Sequence, residues 1–583
     1  MTRPGPVVRV LPAGRARWLI AVILIGFAVV LARDFHLQFF EQSTLRSRGR
    51  MRYLRALPLP SERGIITARD GTPLAVNVKA VTLWADPAIL DKHRNHWAAL
   101  ARTLHLTPAD FAQRVASGGA DYAYILRQVP PALGAAVARL QVPGIYVQAT
   151  NRSYYPLGAV TAPLLGLVDM RHQGGTGLEL GYNSWLAAQP GKELVLQDGH
   201  GQILHVDRVV RLPHAGHALQ LTINPQIQYW AYMTLLAAQR HFGASNGSAV
   251  VMDVRTGQVL AMVSVPSCNP NDIGGCSNPV DYVNNAVHQA FEPGSVIKPF
   301  AIAAALATHS ISPAARFNVF HPLRVEGYSI TDDVPHHTLN IEHILKYSSC
   351  IGTAKIALKT PRRALYDMYH AVGFGKVPQI GLPGSTAGVL PAWQSWGKAR
   401  HATISIGYGI SVTTLQLADA YAAIANGGYH IRPSLVLGEP VVRRRVMPLW
   451  VANDLRRWLR SVAEPNGTGV LAAIPGYAIA GKTGTADLAN GHDGFFHHRT
   501  NATFVGFAPG HAPRLVMAVT LRDSDKFWNF GGVEAAPVFR VTMEHALEQL
   551  DIGPEWCGQS VCKLRAPQIT TAQAEIWSEG GGN

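Results

Sequence analysis

A serine three residues before a lysine is one way to build an activated nucleophile, and the chain contains three such pairs. Only Ser295 and Lys298 follow Pro-Gly and open an apolar run, PFAIAAALA, which predicts that they lie on one face at the start of a helix. A helix N-terminus offers N–H groups to a developing oxyanion, and a desolvated lysine beside a second cation can accept the serine proton. The alternative is an ordinary capped core helix. The remaining pairs are Ser395 with Lys398 and Ser560 with Lys563.

A second lysine heads the chain's single K-T-G sequence, Lys482-Thr483-Gly484, which Thr485 follows. The same residues complete GYAIAGKT, a full match to the phosphate-binding P-loop. A P-loop needs a helix that starts at the lysine, whereas glycines and an asparagine follow here. The sequence therefore predicts a strand through Lys482 and disfavours nucleotide binding.

The Ser-x-x-Lys pair is predicted on a helix and the K-T-G sequence on a strand, so the fold must contain both helices and strands. From Gly247, SAVVMDV and QVLAMVSV predict a hairpin, a mainly helical region runs to about residue 460, and TFVGFAP, RLVMAVTL and a final helix follow. This order predicts an α+β fold. The preceding section, from about residue 60 to 225, begins with a strand, an Asp70-Gly71 turn and a strand. It contains no compact set of acid, base and nucleophile, which indicates a scaffold.

Length, composition and charge exclude several classes of protein. With 583 residues, two or more domains are expected, and 48% apolar with 15% charged residues excludes intrinsic disorder. More than half of the net charge of +15 lies in residues 1–63, which hold eleven arginines against three acidic residues. The rest shows no basic stripe interleaved with aromatics. We therefore expect no nucleic acid partner, and an anionic lipid or wall polymer is favoured.

One uncharged segment, from Trp18 to Ala32, can span a membrane, with a cleaved signal peptide as the alternative. Arginines lie on both sides of it, so charge alone does not set its orientation. The cysteines form two near pairs, which suit an oxidising compartment, although five reduced thiols are the alternative. The pairs are Cys268 with Cys276 and Cys557 with Cys562, leaving Cys350.

Further short motifs occur in a fixed order along the chain. They are Arg63-Gly64-Ile65-Ile66, Asp70-Gly71, Leu74-Ala75, Tyr155-Pro156, Gly177-Leu178-Glu179, Glu292-Pro293-Gly294-Ser295, Ser348-Ser349-Cys350, Gly407-Tyr408-Gly409 and Leu415-Gln416. With the K-T-G sequence, they make the chain resemble the class B penicillin-binding proteins over roughly residues 18 to 551. The nearest type is the division-specific peptidoglycan D,D-transpeptidase.

The resemblance implies an inner-membrane, single-pass protein with its catalytic domain in the periplasm. It implies a cytoplasmic tail (1–17), a transmembrane anchor (18–37), a β-rich pedestal of the penicillin-binding protein dimerisation type (38–225), a serine β-lactamase-like transpeptidase domain (226–551) and a C-terminal tail (552–583). Implied partners are stem peptides ending in D-Ala-D-Ala, β-lactams as covalent inhibitors, an FtsW-type lipid II polymerase and other divisome proteins.

The resemblance also implies residue roles. Ser295 attacks the carbonyl between the two D-alanines while Lys298 takes its proton, and Ser348 relays a proton to the leaving D-alanine. The K-T-G strand, with Lys482, Thr483, Gly484 and Thr485, holds the substrate carboxylate, and N–H groups of Ser295 and Thr485 form the oxyanion hole. The family's asparagine in Ser-x-Asn is Cys350 here, and its proline before Leu-Gln is Thr414.

Three alternatives remain open. Hydrolysis of a β-lactam would need a glutamate base, and the two glutamates between Cys350 and Lys482, Glu439 and Glu464, lie in no suitable motif. An elongation-type transpeptidase is the second alternative, and a weakly active division scaffold is the third, because Cys350 replaces a hydrogen-bonding asparagine.

No cofactor and no metal are expected. A histidine-rich segment is interpreted as a polar loop rather than a metal site, since glycines and a phenylalanine pair interrupt it. Its candidate ligands would be His492, Asp493, His497 and His498.

Overall fold

The computed structural model describes residues 13–42, 54–59, 61–119, 122–197, 203–272, 276, 278–489, 495–524 and 530–555. Its α-helices are α1 (Ala13–Phe39), α2 (Pro87–Leu90), α3 (Trp97–Thr103), α4 (Pro108–Ala116), α5 (Pro131–Arg139), α6 (Ala162–Leu165), α7 (Gly177–Gly181), α8 (Asn183–Leu186), α9 (Pro225–Phe242), α10 (Asn285–His288), α11 (Lys298–Ala307), α12 (Ile341–Lys346), α13 (Cys350–Lys359), α14 (Arg362–Ala371), α15 (Lys398–Ser405), α16 (Thr414–Ala425), α17 (Leu449–Arg460) and α18 (Gly531–Gln549).

The strands occur in groups separated by helical stretches, which agrees with the predicted α+β class. They are β1 (Leu54–Leu59), β2 (Ile66–Thr67), β3 (Pro73–Ala85), β4 (Ala123–Val129), β5 (Ile145–Tyr154), β6 (Gly191–Gln197), β7 (Ile203–Arg211), β8 (Leu219–Gln220), β9 (Asn246–Asp253), β10 (Val259–Val265), β11 (Arg316–Asn318), β12 (Leu323–Val325), β13 (Tyr328–Ile330), β14 (Thr338–Asn340), β15 (Tyr429–Ile431), β16 (Arg443–Arg445), β17 (Ala480–Ala489), β18 (Phe495–Ala508) and β19 (Leu515–Ser524).

The smaller of two structural units comprises Met1–Glu62 and Ala188–Ala215. It holds α1 and an antiparallel sheet in the order β1-β6-β7. Over Arg17–Phe39, α1 is long and apolar enough to cross a membrane, the one such helix in the described part of the chain. This agrees with the expected anchor. The proposed domain boundaries stay predictions.

The larger unit comprises Arg63–Ala187 and Gly216–Asn583. Its first section has a sheet in the order β4-β3-β2-β8, with β5 also pairing with β3. The Asp70-Gly71 turn links β2 to β3, as predicted. Helices α3, α4 and α5 cover one face of this sheet, where Leu83, Leu100 and Phe111 are fully buried.

Three of the short motifs in this section meet around one buried ion pair. Arg63 donates from Nε to the Oε2 of Glu179 at 2.7 Å and from Nη2 to the Glu179 carbonyl at 2.9 Å. The hydroxyl of Tyr155 donates to the other carboxylate oxygen at 3.3 Å. Removing one partner of such a pair would leave a buried charge uncompensated, which is strongly destabilising. The motifs are therefore structural here.

The remainder of the larger unit is built on a five-stranded antiparallel sheet in the order β10-β9-β19-β18-β17. Side chains of β19 alternate between two cores: Met517 and Val519 face α9 and α18, whereas Val516 and Ala518 face the helices that include α11 and α16. The sheet thus lies between two helical layers, and β17 is its edge strand on the side of Ser295.

Candidate active site

Ser295 lies in a single 3-10 turn, Gly294–Ile297, and the α-helix begins only at Lys298. The predicted helix start at Ser295 is thus confirmed, with a 3-10 rather than an α-helical first turn. Residues i and i+3 eclipse in a 3-10 turn, so Lys298 still follows Ser295 on the same side. The tight turn depends on Gly294, which has a φ of +56° and whose Cβ, if present, would lie 2.6 Å from the Thr485 carbonyl oxygen.

The K-T-G sequence lies in the edge strand β17, as predicted, and Lys482 pairs with Val505 of β18. Because Lys482 is inside a strand, the P-loop alternative is excluded. Gly484 lets the strand approach the nucleophile turn, since a Cβ there would lie 2.8 Å from the carbonyl oxygen of Pro293. Two glycines, one on each element, therefore bring Ser295 against β17.

Lys298 is fully buried and points at the Ser-x-Cys segment. Its Nζ donates to the Ser348 carbonyl, lies 3.2 Å from the Ser348 hydroxyl and lies 3.2 Å from the sulfur of Cys350. Ser348 has a φ of +58°, and α13 starts two residues later at Cys350. Ser348 and Cys350 are thus brought together around the side-chain nitrogen of Lys298.

Lys482 is also fully buried, so the site contains two lysines without solvent. Burial lowers the pKa of Lys482 well below its usual value, and the positive charge of Lys298 lowers it further. The opposing influences are weaker and come from Cys350 and Asp333. A pair of buried lysines is the environment that the sequence required for a lysine base.

Hydroxyl groups follow Lys482 along β17. Lys482 Nζ donates to the carbonyl oxygen of Thr483 at 3.1 Å and to its hydroxyl at 3.4 Å, and that hydroxyl donates to the Oγ1 of Thr468 at 2.8 Å. The hydroxyl of Thr485 accepts from the backbone N–H of Gly531, the first residue of α18, at 3.2 Å. The arrangement presents a lysine and two hydroxyls along one strand, which suits a carboxylate.

Three residues in these contacts carried no motif in the sequence. Thr468 and Gly531 hold the two threonine hydroxyls, and Asp332 accepts hydrogen bonds from Ser349 and Ile351. They come from a loop, a helix start and the segment between β13 and β14. No periodicity or spacing links them to Ser295, so nothing in the sequence marked them.

Other candidates lie elsewhere. Ser395 and Lys398 are exposed around a short 3-10 turn, Trp393–Ser395. Cys268 and Cys276 form the predicted disulfide, and Cys350 is a free thiol. Outside what the structure describes lie Ser560, Lys563, Cys557, Cys562, His492, Asp493 and the side chains of His497 and His498.

Residues 247–544 match the family described as the penicillin-binding protein transpeptidase domain, and residues 58–221 match the penicillin-binding protein dimerisation domain. The chain is 36% identical over 545 residues to the peptidoglycan D,D-transpeptidase FtsI of Escherichia coli, covering 92% of each chain.

The chain belongs to the class B penicillin-binding proteins.

Solved structures agree with this family. The transpeptidase domain of Burkholderia pseudomallei penicillin-binding protein 3 is 36% identical, with a TM-score of 0.53, and covers 58% of this chain and 98% of its own. Penicillin-binding protein 3 of Mycobacterium tuberculosis, solved with aztreonam, is 26% identical, with a TM-score of 0.66, and covers 86% of this chain and 98% of its own. The second match extends over both domains of this class B penicillin-binding protein.

Proposed function

We propose that this protein is a peptidoglycan D,D-transpeptidase of the division type, which crosslinks stem peptides through an acyl-enzyme on Ser295 and is acylated there by β-lactams. The observation that carries the proposal is the placement of a turn bearing Ser295 against the K-T-G edge strand, with buried Lys298 reaching Ser348. The names of its relatives, peptidoglycan D,D-transpeptidases, support the same activity.

Acylation begins when Ser295 Oγ bonds to the carbonyl carbon between the two D-alanines and its proton passes to Lys298. The oxyanion is held by the N–H groups of Ser295 and Thr485. When the C–N bond breaks, the leaving D-alanine nitrogen takes a proton through the Ser348 hydroxyl, which lies 3.2 Å from Lys298 Nζ. The product is an ester on Ser295 with free D-alanine.

The carboxylate of the terminal D-alanine binds along β17, to Lys482 and the hydroxyls of Thr483 and Thr485. Burial and the charge of Lys298 make a proton on Lys482 costly, as its lowered pKa indicates. An arriving carboxylate provides the missing counter-charge. Substrate binding therefore favours the protonated form of Lys482, which gives the site a preference for peptides with a free carboxyl terminus.

Deacylation by an amine from a neighbouring strand completes the crosslink. The amine nitrogen bonds to the ester carbon, its proton passes through Lys298 and Ser348, and the Ser295 Oγ–H re-forms. Hydrolysis would require a base for water near the ester. Glu439 is ion-paired with Arg432 at 3.7 Å, and Glu464 is exposed, so neither supports hydrolysis.

A fluorescent penicillin tests the proposal on the full-length protein in detergent. The wild-type protein and Ser395→Ala, which alters an exposed Ser-x-x-Lys pair, should both be labelled covalently, whereas Ser295→Ala should not. A wild-type protein that shows no labelling at all would support the non-catalytic scaffold instead. Labelling retained in Ser295→Ala would refute the role of Ser295.

We expect α1 to be an uncleaved anchor that places the catalytic domain in the periplasm, next to an FtsW-type polymerase and other divisome proteins. Intact mass should include the residues before Arg17, and a mature N-terminus at Arg33 would refute the anchor. Depletion of the protein should produce filamentous cells, whereas rounded cells would favour the elongation type.

A further inference from the structure

Asp332, between β13 and β14, has both carboxylate oxygens engaged at the start of α13. Its Oδ2 accepts the hydroxyl proton of Ser349 at 2.5 Å, and its Oδ1 accepts the backbone N–H of Ile351 at 2.9 Å. A carboxylate at a helix N-terminus satisfies N–H groups that have no partner within the helix, and it interacts favourably with the helix dipole. Asp332 therefore holds the first turn of α13.

The hydroxyl of Ser349 is fully committed by this arrangement. Ser349 is the N-cap of α13: its oxygen accepts the N–H of Gly352 at 2.9 Å, while its proton goes to Asp332. Ser349 is only 1% exposed, so its hydroxyl is shielded from bulk solvent. Without the Asp332 carboxylate, this hydroxyl would lose its acceptor inside the protein.

The residues on either side of Ser349 are those that contact Lys298. Ser348 holds a left-handed φ of +58°, a conformation that non-glycine residues adopt only when neighbouring contacts maintain it. In that conformation the Ser348 carbonyl and hydroxyl both face Lys298 Nζ, and Cys350 adds its sulfur at 3.2 Å. Ser349, which is hydrogen-bonded to Asp332, lies in the chain between the two residues that contact Lys298.

We propose that Asp332 is a positioning residue for acylation. By holding Ser349 and Ile351, it keeps Ser348 and Cys350 in place on Lys298, so that the proton path from Ser295 is assembled before substrate arrives. Asp332 itself touches none of the reacting atoms. This inference rests on the proposed acyl-transfer function, and it adds a residue that lies outside the recognised motifs.

Asp332→Asn is the sharpest variant, because it preserves shape and the acceptor for Ile351 N–H but offers Ser349 a donor in place of an acceptor. Pre-steady-state labelling of the full-length protein with a fluorescent penicillin separates the dissociation constant of the initial complex from the acylation rate constant. We expect the rate constant to fall about 10-fold, as for loss of one charged hydrogen bond, and the dissociation constant to stay within about twofold.

Asp86→Asn is the matched control, since Asp86 caps the short helix α2 through Ile89 N–H, far along the chain from the site. It should acylate at the wild-type rate. Ser349→Ala should lose at least as much as Asp332→Asn, because it removes the same Ser349–Asp332 hydrogen bond and also the N-cap of α13. The double variant should be no slower than the worse single variant, because the shared hydrogen bond can be lost only once. The Ser349→Ala variant tests the inference even if Asp332→Asn folds poorly.

Wild-type acylation by Asp332→Asn, or additive losses in the double variant, would overturn the inference. So would an equal loss of the rate constant and of initial binding with a lowered Tm, which would indicate a purely structural residue. A wild-type protein that is not acylated would instead refute the proposed function, so the two failures are distinguishable.

Discussion

The side-chain nitrogen of Lys298 lies 3.2 Å from the sulfur of Cys350. A thiol thus occupies the position from which the family's asparagine would face this lysine. An asparagine offers a carbonyl acceptor and two donors, whereas a thiol is a weak donor and a weak acceptor. Cys350 therefore still contacts Lys298, but its hydrogen bond to the lysine is weaker than that of an asparagine amide.

Cys350→Asn is expected to accelerate acylation of Ser295 by penicillin. One good hydrogen bond to a charged group is worth about 1.5 to 3 kcal/mol, which corresponds to roughly 10- to 100-fold in rate. The second-order rate of labelling measures this directly, with Cys350→Ala as the control that removes the sulfur without adding an amide. A slower Cys350→Asn variant would show that the site is rebuilt around the cysteine.

Lys298→Ala and Lys482→Ala should fail in different ways. The first removes the base and should lower the acylation rate constant by about 10²- to 10⁴-fold. The second should chiefly weaken initial binding of a carboxylate-bearing penicillin. Lys398→Ala, which removes an exposed lysine of another Ser-x-x-Lys pair, is the control and should match the wild-type protein. An unchanged acylation rate in Lys298→Ala would remove that residue from its role.

Thiol titration should distinguish the cysteines. Cys268 and Cys276 are disulfide-bonded in the structure, and Cys350 is free. If Cys557 and Cys562 also pair, the denatured, non-reduced protein has one titratable thiol, and Cys350→Ala has none. Three titratable thiols would support only the Cys268–Cys276 disulfide, and five would contradict both disulfides.

Glu534 should make stability depend on pH. Its side chain is fully buried on α18, and burial raises its pKa from 4.5 to about 7, against the opposing hydrogen bond from Ser524. Because the folded state holds this proton more tightly than the unfolded state, Glu534 contributes fully to the free energy of unfolding below pH 4.5. This contribution is lost as the pH rises from 4.5 to about 7, and the loss is about 3 kcal/mol. Glu534→Gln should remove this part of the decline in Tm between pH 5 and pH 8.

Glu548→Gln, at an exposed position of the same helix, is the matched control and should keep the wild-type decline. Parallel Tm profiles for Glu534→Gln and the wild-type protein would show that Glu534 titrates in its usual range.

Much of the site was predictable because its reactive residues lie in short sequence motifs. Ser295 with Lys298, and the K-T-G strand, could be assigned from a Pro-Gly before an apolar helix and from glycines that interrupt any helix after Lys482. The Cys268–Cys276 disulfide followed from nearness in sequence. The helix start at Ser295 was predicted but its 3-10 first turn was not, because that turn reflects a close approach to β17 that local propensity does not contain.

By itself, the sequence determined the α+β class, the apolar anchor segment and the identity of the chemical groups, since periodicity, apolar runs and motif spacing are local properties of the chain. Only the tertiary structure decided that Lys298 and Lys482 are buried side by side, that Asp332 holds Ser349, and that Gly531 meets Thr485. These contacts join residues separated by 17 to 184 positions. Packing of the sheet between two helical layers sets such distances and removes the water that would weaken the contacts, and no local pattern encodes either effect.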